Sequence, residues 1–81
     1  MNRPKVPAQT ITAELRHWYF DEDHAQYVGE IHGDIRKRHT DGRLIRLIQV
    51  QKTLELADYF IVYTKDNCSY VLWKDTEIKQ I

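Results

Sequence analysis

The run Asp21-Glu22-Asp23-His24 sets three carboxylates beside an imidazole, and His17 lies just upstream. Oxygen-rich clusters of this sort are the usual ligands of hard divalent cations. The run lacks the spacing of a calcium-binding loop, with its central Gly and closing Glu, and no second ligand group stands at a fixed interval from it. It reads as a solvated hairpin turn, and no metal or cofactor is expected. Cys68 is the only cysteine, so an internal disulfide is excluded and no Cys/His finger spacing exists. Its place at the start of a strand marks it as a small core residue rather than a nucleophile. His17, His24, His32 and His39 fall on separate elements, and no spacing pairs one with Cys68. Gly-rich phosphate loops, nucleophile elbows and HExxH are all missing. A domain of 81 residues also leaves little room for a ligand-sized pocket. The expectation is a protein that is not an enzyme.

The other grouping is basic. Within Ile35 to Arg46, Arg36, Lys37, Arg38, Arg43 and Arg46 face only Asp34 and Asp41, with His39 in the middle. Such a loop is either a solvated tip or a contact surface for an acidic protein or a phosphate backbone. As a contact surface it would combine the basic rim and His39 with nearby aromatics such as Trp18 or Trp73. Trp, Tyr and Arg dominate interface energetics.

The whole chain carries 12 basic and 12 acidic side chains, a formal net charge of zero. A general polyanion binder normally has a clear basic excess. Zero net charge also gives little protection against self-association, so a constant partner or a homodimer is expected. No apolar run approaches the length of a signal peptide or membrane span, and the single cysteine suits a reducing cytoplasm.

These residues must be positioned by strands. Ala57 to Lys74 reads as a β-hairpin, with an aromatic and β-branched run on each side of Lys65-Asp66-Asn67. Tyr59, Ile61 and Tyr63 point one way and Phe60, Val62 and Thr64 the other. On the return strand Tyr70 and Leu72 go with Cys68, and Val71 and Trp73 with Ser69. Both faces are therefore apolar. Thr10 to Phe20 alternates as a strand until Trp18 and Phe20 join its polar face, which implies a bulge there or a covered face. Gln26 to Asp34 is a strand with Gly29 and Gly33 on one side, suiting a bend or the close approach of another backbone. Thr40-Asp41-Gly42 signals a tight turn with glycine at positive φ. Leu44 to Val50 is a branched strand. A helix from Leu44 to Leu56 nearly fits, but the β-branched content and the break at Gln51-Lys52-Thr53 favour the strand. Asp75 to Ile81 is a polar tail ending in a helical turn or a loose end.

The pattern predicts one domain over residues 10–81 behind a flexible arm at residues 1–9 (Met1 to Gln9). The fold class is all-β: a five-stranded antiparallel meander curled into a small SH3-like barrel or a strongly twisted sheet. Closure would remove the exposed edges that branched strands otherwise present.

Gly29, Ile31, Gly33 and Asp34, then Arg38, Asp41 and Gly42, then Ile45 and Val50, then Thr64, Asn67 and Tyr70 make up a pattern within Gly29 to Leu72. In that pattern the chain resembles a recurrent kind of small phage or prophage protein. It departs from that pattern in the additional basic residues and His39, and in a longer linker from Gln51 to Asp58. The resemblance implies an accessory protein of a mobile element, working in a host cytoplasm. Such proteins bind and block or redirect a host protein, including defence machinery. A small nucleic-acid-binding barrel, with the same arginines on phosphates and aromatics stacked on bases, is the alternative.

Overall fold

The computed structural model describes residues 11–78. The arm expected at residues 1–9 and the last residues of the tail lie outside them. Six strands follow one another: β1 (Ala13–Asp21), β2 (Gln26–His32), β3 (Leu44–Leu47), β4 (Val50–Glu55), β5 (Tyr59–Thr64) and β6 (Ser69–Trp73). A single 3-10 turn, Lys74–Thr76, closes the described chain.

The all-β class holds, but the architecture is neither a meander nor a closed barrel. The strand order is β3-β2-β1-β6-β5-β4, so two antiparallel three-stranded units meet at their inner strands. They meet in parallel: Ala13, Glu14 and Leu15 pair with Tyr70, Val71 and Leu72. Thr12 extends the seam, accepting the Ser69 amide on its hydroxyl at 3.0 Å and donating its own amide to the Ser69 carbonyl at 2.8 Å. Parallel neighbours need a long crossover, and here the crossover is everything from β2 to β5.

The predicted strand Leu44 to Val50 is two strands. Gln49 takes a left-handed φ of 55° and turns the chain after Leu47. The run Gln51-Lys52-Thr53, expected to break the pattern, lies inside β4 instead. β3 and β4 are consecutive in sequence yet form the two opposite edges of the sheet. The sheet curls strongly enough for Tyr27 on β2 to bring its hydroxyl within 3.5 Å of the Thr53 hydroxyl on β4. The edges do not pair, which leaves the curl open.

The interior of the curl is filled by Leu15, Trp18, Ile31, Leu47, Val62 and Leu72, with Phe60 and Tyr27 against them. The other face carries a second cluster, Tyr59, Ile61, Val71 and Trp73, flanked by Ile11, Leu56 and Tyr63. The hairpin register, Tyr59 with Trp73 and Ile61 with Val71, produces the two-sided division read from the sequence. Trp18 reaches the interior through a bulge. β1 pairs Arg16 with Glu30 and then Tyr19 with Val28, so His17 and Trp18 together oppose Gly29. His17 absorbs the extra residue at φ 49°, which shifts the phase of the strand by one position. Trp18 thereby joins Leu15 inside, and His17 faces water. The Trp18 indole donates to the Trp73 carbonyl at 2.8 Å, tying the bulge to the end of β6.

Candidate functional site: a basic loop beside an open strand edge

The loop between β2 and β3 is ordered by one carboxylate. The Asp34 side chain is 1% exposed. It accepts the Arg36 amide on one oxygen and the Arg38 amide on the other, each at 3.0 Å. Burial pushes the Asp34 pKa up, but the amides of Arg36, Arg38 and His39 and the Arg38 charge outweigh it and hold the carboxyl below its ordinary value. Ile35 is pinned through its amide to the Thr12 carbonyl, and Lys37 sits at φ 55° as the chain turns back. The second bend is the expected Thr40-Asp41-Gly42 turn. Gly42 has φ 88°, the Arg43 amide reaches the Thr40 carbonyl, and the Asp41 carboxylate accepts the Gly33 amide.

The basic residues thus fixed do not form one uniform rim. Arg36 reaches across the surface and donates to the carbonyls of Asp66 and Asn67 in the β5–β6 turn. Arg38 forks between the Asp66 carboxylate at 3.5 Å and the Tyr70 hydroxyl at 3.1 Å. Its contact with Tyr70 holds it more firmly charged than a free guanidinium. Burial pushes the Tyr70 phenol up, while Arg38 pulls the other way. Asp66 is itself held low, first by the Thr64 hydroxyl, which donates to it. At the far end of β3, Arg46 grips Asp21 at 2.8 Å and brings that carboxyl down to about 2. Lys37 and Arg43 are exposed, and their side chains have no ionic partner among the described residues. His39 is half-buried with Nδ1 unpaired.

The loop, β3 and the β5–β6 turn enclose a cleft of about 380 Å³. One wall is β3 and its continuation to Gln49; the other is Thr64, Asp66 and Tyr70. Arg38, His39, Arg43 and Arg46 stand around it. Arg38 is paired with Asp34 and Asp66 and Arg46 with Asp21, which leaves Arg43 as the lining arginine without an ionic partner among the described residues.

Of the residues expected at a partner surface, Arg36, Lys37, Arg38, His39, Arg43 and Arg46 are brought to this corner or to β3. Trp18 and Trp73 are not: they are 2% and 7% exposed and belong to the two apolar clusters. Their indoles are occupied in packing because the bulge and the two-sided hairpin turn them inward. Sequence reasoning missed Tyr70, Asp66 and Thr64 as the opposite wall, and Leu44 and Gln49 on the β3 side. The Gly33-Asp34 pair ahead of a basic run was the available signal, since an Asp in that place caps following amides.

The acidic turn is likewise engaged. Asp21 accepts the amides of Asp23 and His24 as well as His24 Nδ1 and Arg46. Among the described residues no three His, Cys, Asp or Glu side chains are grouped to hold a metal ion. Cys68 is buried in the interior. No protein-family model, curated protein or solved structure matches the chain.

Proposed function

We propose that the protein is a small stoichiometric binding module of phage or prophage type. It acts by laying its basic corner on an acidic surface of a host protein, which it blocks or modulates. The observation that supports this reading is the state of Lys37 and Arg43. They are exposed cations without an ionic partner among the described residues, on a loop whose backbone is fixed by the buried Asp34. A preformed charged loop loses little further freedom on binding, and charge complementarity of this kind speeds encounter and selects the partner. The nucleic-acid reading loses support from the interior placement of Trp18 and Trp73, which leaves neither ring free to stack on a base.

The test is affinity capture from bacterial lysate with and without nuclease, comparing the native protein with Lys37→Glu/Arg43→Glu. These positions are chosen because Arg36 and Arg38 brace the loop, so their loss would confuse folding with binding. A protein retained after nuclease and lost in the double variant is the expected result. Capture that disappears with nuclease alone would replace this reading with the nucleic-acid one.

A further inference from the structure

The free edge of β3 forms a wall of the cleft, and the geometry points to a specific use for it: we propose that the cleft accepts an extended acidic segment of a partner protein, which adds to β3 as an antiparallel or parallel strand. This rests on the binding reading above and names the mode of recognition.

The edge is open by construction. Among the described residues β3 pairs with β2 alone. The Arg43 carbonyl accepts the Ile31 amide, and in an antiparallel ladder the backbone groups facing a given neighbour recur at every second residue. The Arg43 carbonyl and the backbone groups of Ile45 and Leu47 therefore turn toward β2. Leu44 and Arg46 turn theirs the other way, presenting a donor and an acceptor each. Added strands draw affinity from such main-chain groups and specificity from alternate side-chain positions.

The opposite edge is not equivalent. β4 has a bulge at Gln51, between its Val50–Thr64 and Lys52–Tyr63 pairs, and an exposed lysine next to it. A bulge and a lysine are the devices that blunt an edge against pairing. β3 is short and carries Arg46, but its ladder has no bulge, and its exposed Leu44 and Ile48 frame the cleft with apolar surface.

Charge selects the occupant. Asp66 is the one acidic residue among those lining the cleft, beside Arg38, His39, Arg43 and Arg46. Arg38 and Arg46 are already engaged by Asp66 and Asp21, and Arg43 is the exposed cation left to meet a carboxylate of an incoming strand. A second copy of this chain is the less complementary occupant, because its β3 would bring a further Arg46, with Arg43 beside it, to the same edge.

The probe is a fluorescein-labelled peptide of alternating Glu and Val, measured by anisotropy beside its Lys/Val counterpart and a Glu/Val peptide with alternate backbone nitrogens methylated. Binding of the first, at least tenfold weaker binding of the other two, and shifts of the Leu44 and Arg46 amides in a heteronuclear NMR spectrum are expected. Leu44→Pro removes a cleft-facing donor at the first residue of an edge strand, where proline is tolerated. It should bind at least tenfold more weakly than Leu44→Ala. If Leu44→Pro does not fold, the methylated peptide decides alone.

The proposal is overturned if the Glu/Val peptide does not bind, or if the methylated or Lys/Val peptide binds equally well. It is also overturned if oligothymidylate of equal charge displaces the probe as strongly as unlabelled peptide. A sedimentation dimer whose Leu44 and Arg46 amides are protected without peptide overturns it in favour of a second copy. Should the peptide fail while the Lys37/Arg43 variant still loses its captured protein, strand addition is wrong and the binding reading stands.

Discussion

Gly29 lies so close to Trp18 that a Cβ on the glycine would be 2.8 Å from the tryptophan Cβ and 3.2 Å from the Leu15 side chain. The contact follows from the bulge, where His17 and Trp18 share the space opposite one residue of β2. The requirement at Gly29 is for space. Gly33 and Gly42 are the reverse case, with left-handed φ values of 66° and 88° and open space around them.

Gly29→Ala should therefore destabilise the protein by roughly 1–3 kcal/mol through overpacking, because the obstructing Trp18 Cβ is anchored to the backbone and cannot swing aside. Gly33→Asn should lose much less than Gly33→Val, since Asn tolerates the left-handed region and a β-branched residue does not. Urea titrations followed by tryptophan fluorescence measure both. A Gly29→Ala protein as stable as the native one would mean that the bulge relaxes freely.

The same bulge shows what the sequence could and could not disclose. The failure of alternation at Trp18 was visible, and so was the spare space of Gly29. Only the pairing of Arg16 with Glu30 and Tyr19 with Val28 shows that Trp18 slips inward while His17 stays out. The hairpin from Tyr59 to Trp73 was legible on both faces because each strand is buried on both sides and its residue types say so. β4 was illegible for the opposite reason: all its residues are exposed at an edge, so no apolar alternation marks it. The parallel seam joins residues from the two ends of the described chain, and no local pattern encodes such a contact. The cleft depends on the same kind of information, since Arg38 meets Tyr70 across 32 positions. The basic wall could be read from composition; the Thr64–Tyr70 wall could not.

Asp34 holds the loop through two amides, so its removal should loosen the loop before it unfolds the sheet. Asp34→Ala leaves the Arg36 and Arg38 amides without their acceptor, a loss of about 1–3 kcal/mol where those groups remain shielded. Hydrogen exchange at the two amides should accelerate strongly, while the β5–β6 amides keep most of their protection. Equal acceleration across both regions would show that Asp34 supports the whole sheet rather than the loop.

The Arg38–Tyr70 contact bridges the loop and β6, and its strength is bounded by exposure. The Arg38 side chain is 35% exposed, so water competes for it. A double-mutant cycle with Arg38→Met and Tyr70→Phe should give a coupling of up to about 1 kcal/mol. Arg38→Lys should recover little of it, because an ammonium cannot fork between the Asp66 carboxylate and the Tyr70 hydroxyl as the planar guanidinium does. A coupling indistinguishable from zero would leave the Arg36 side chain, through the Asp66 and Asn67 carbonyls, as the main tie between the loop and the turn.

Acid should unfold the protein through a small set of carboxylates. Asp21 falls from an ordinary 3.8 to about 2, first because Arg46 donates to it and then because His24 does, against an opposing effect of burial. Glu30 lies between His17 at 3.2 Å and His32 at 3.5 Å and is lowered from 4.5, chiefly by His17. Asp34 and Asp66 are lowered as well. A carboxyl whose folded pKa is below its unfolded one contributes stability that is complete above the unfolded value. That contribution is lost as pH falls through the folded value, since the unfolded chain takes up protons first. Tm should therefore hold until about pH 4.5 and fall steeply between about pH 4 and pH 2. Arg46→Met removes the leading cause of the Asp21 shift. Its Tm should lie below the native value near neutrality, and the gap should close as pH approaches 2, where Asp21 is being protonated in the native protein too. A gap that stays constant to the lowest pH would show that Arg46 supports the β1–β2 turn through its aliphatic stem instead of its charge.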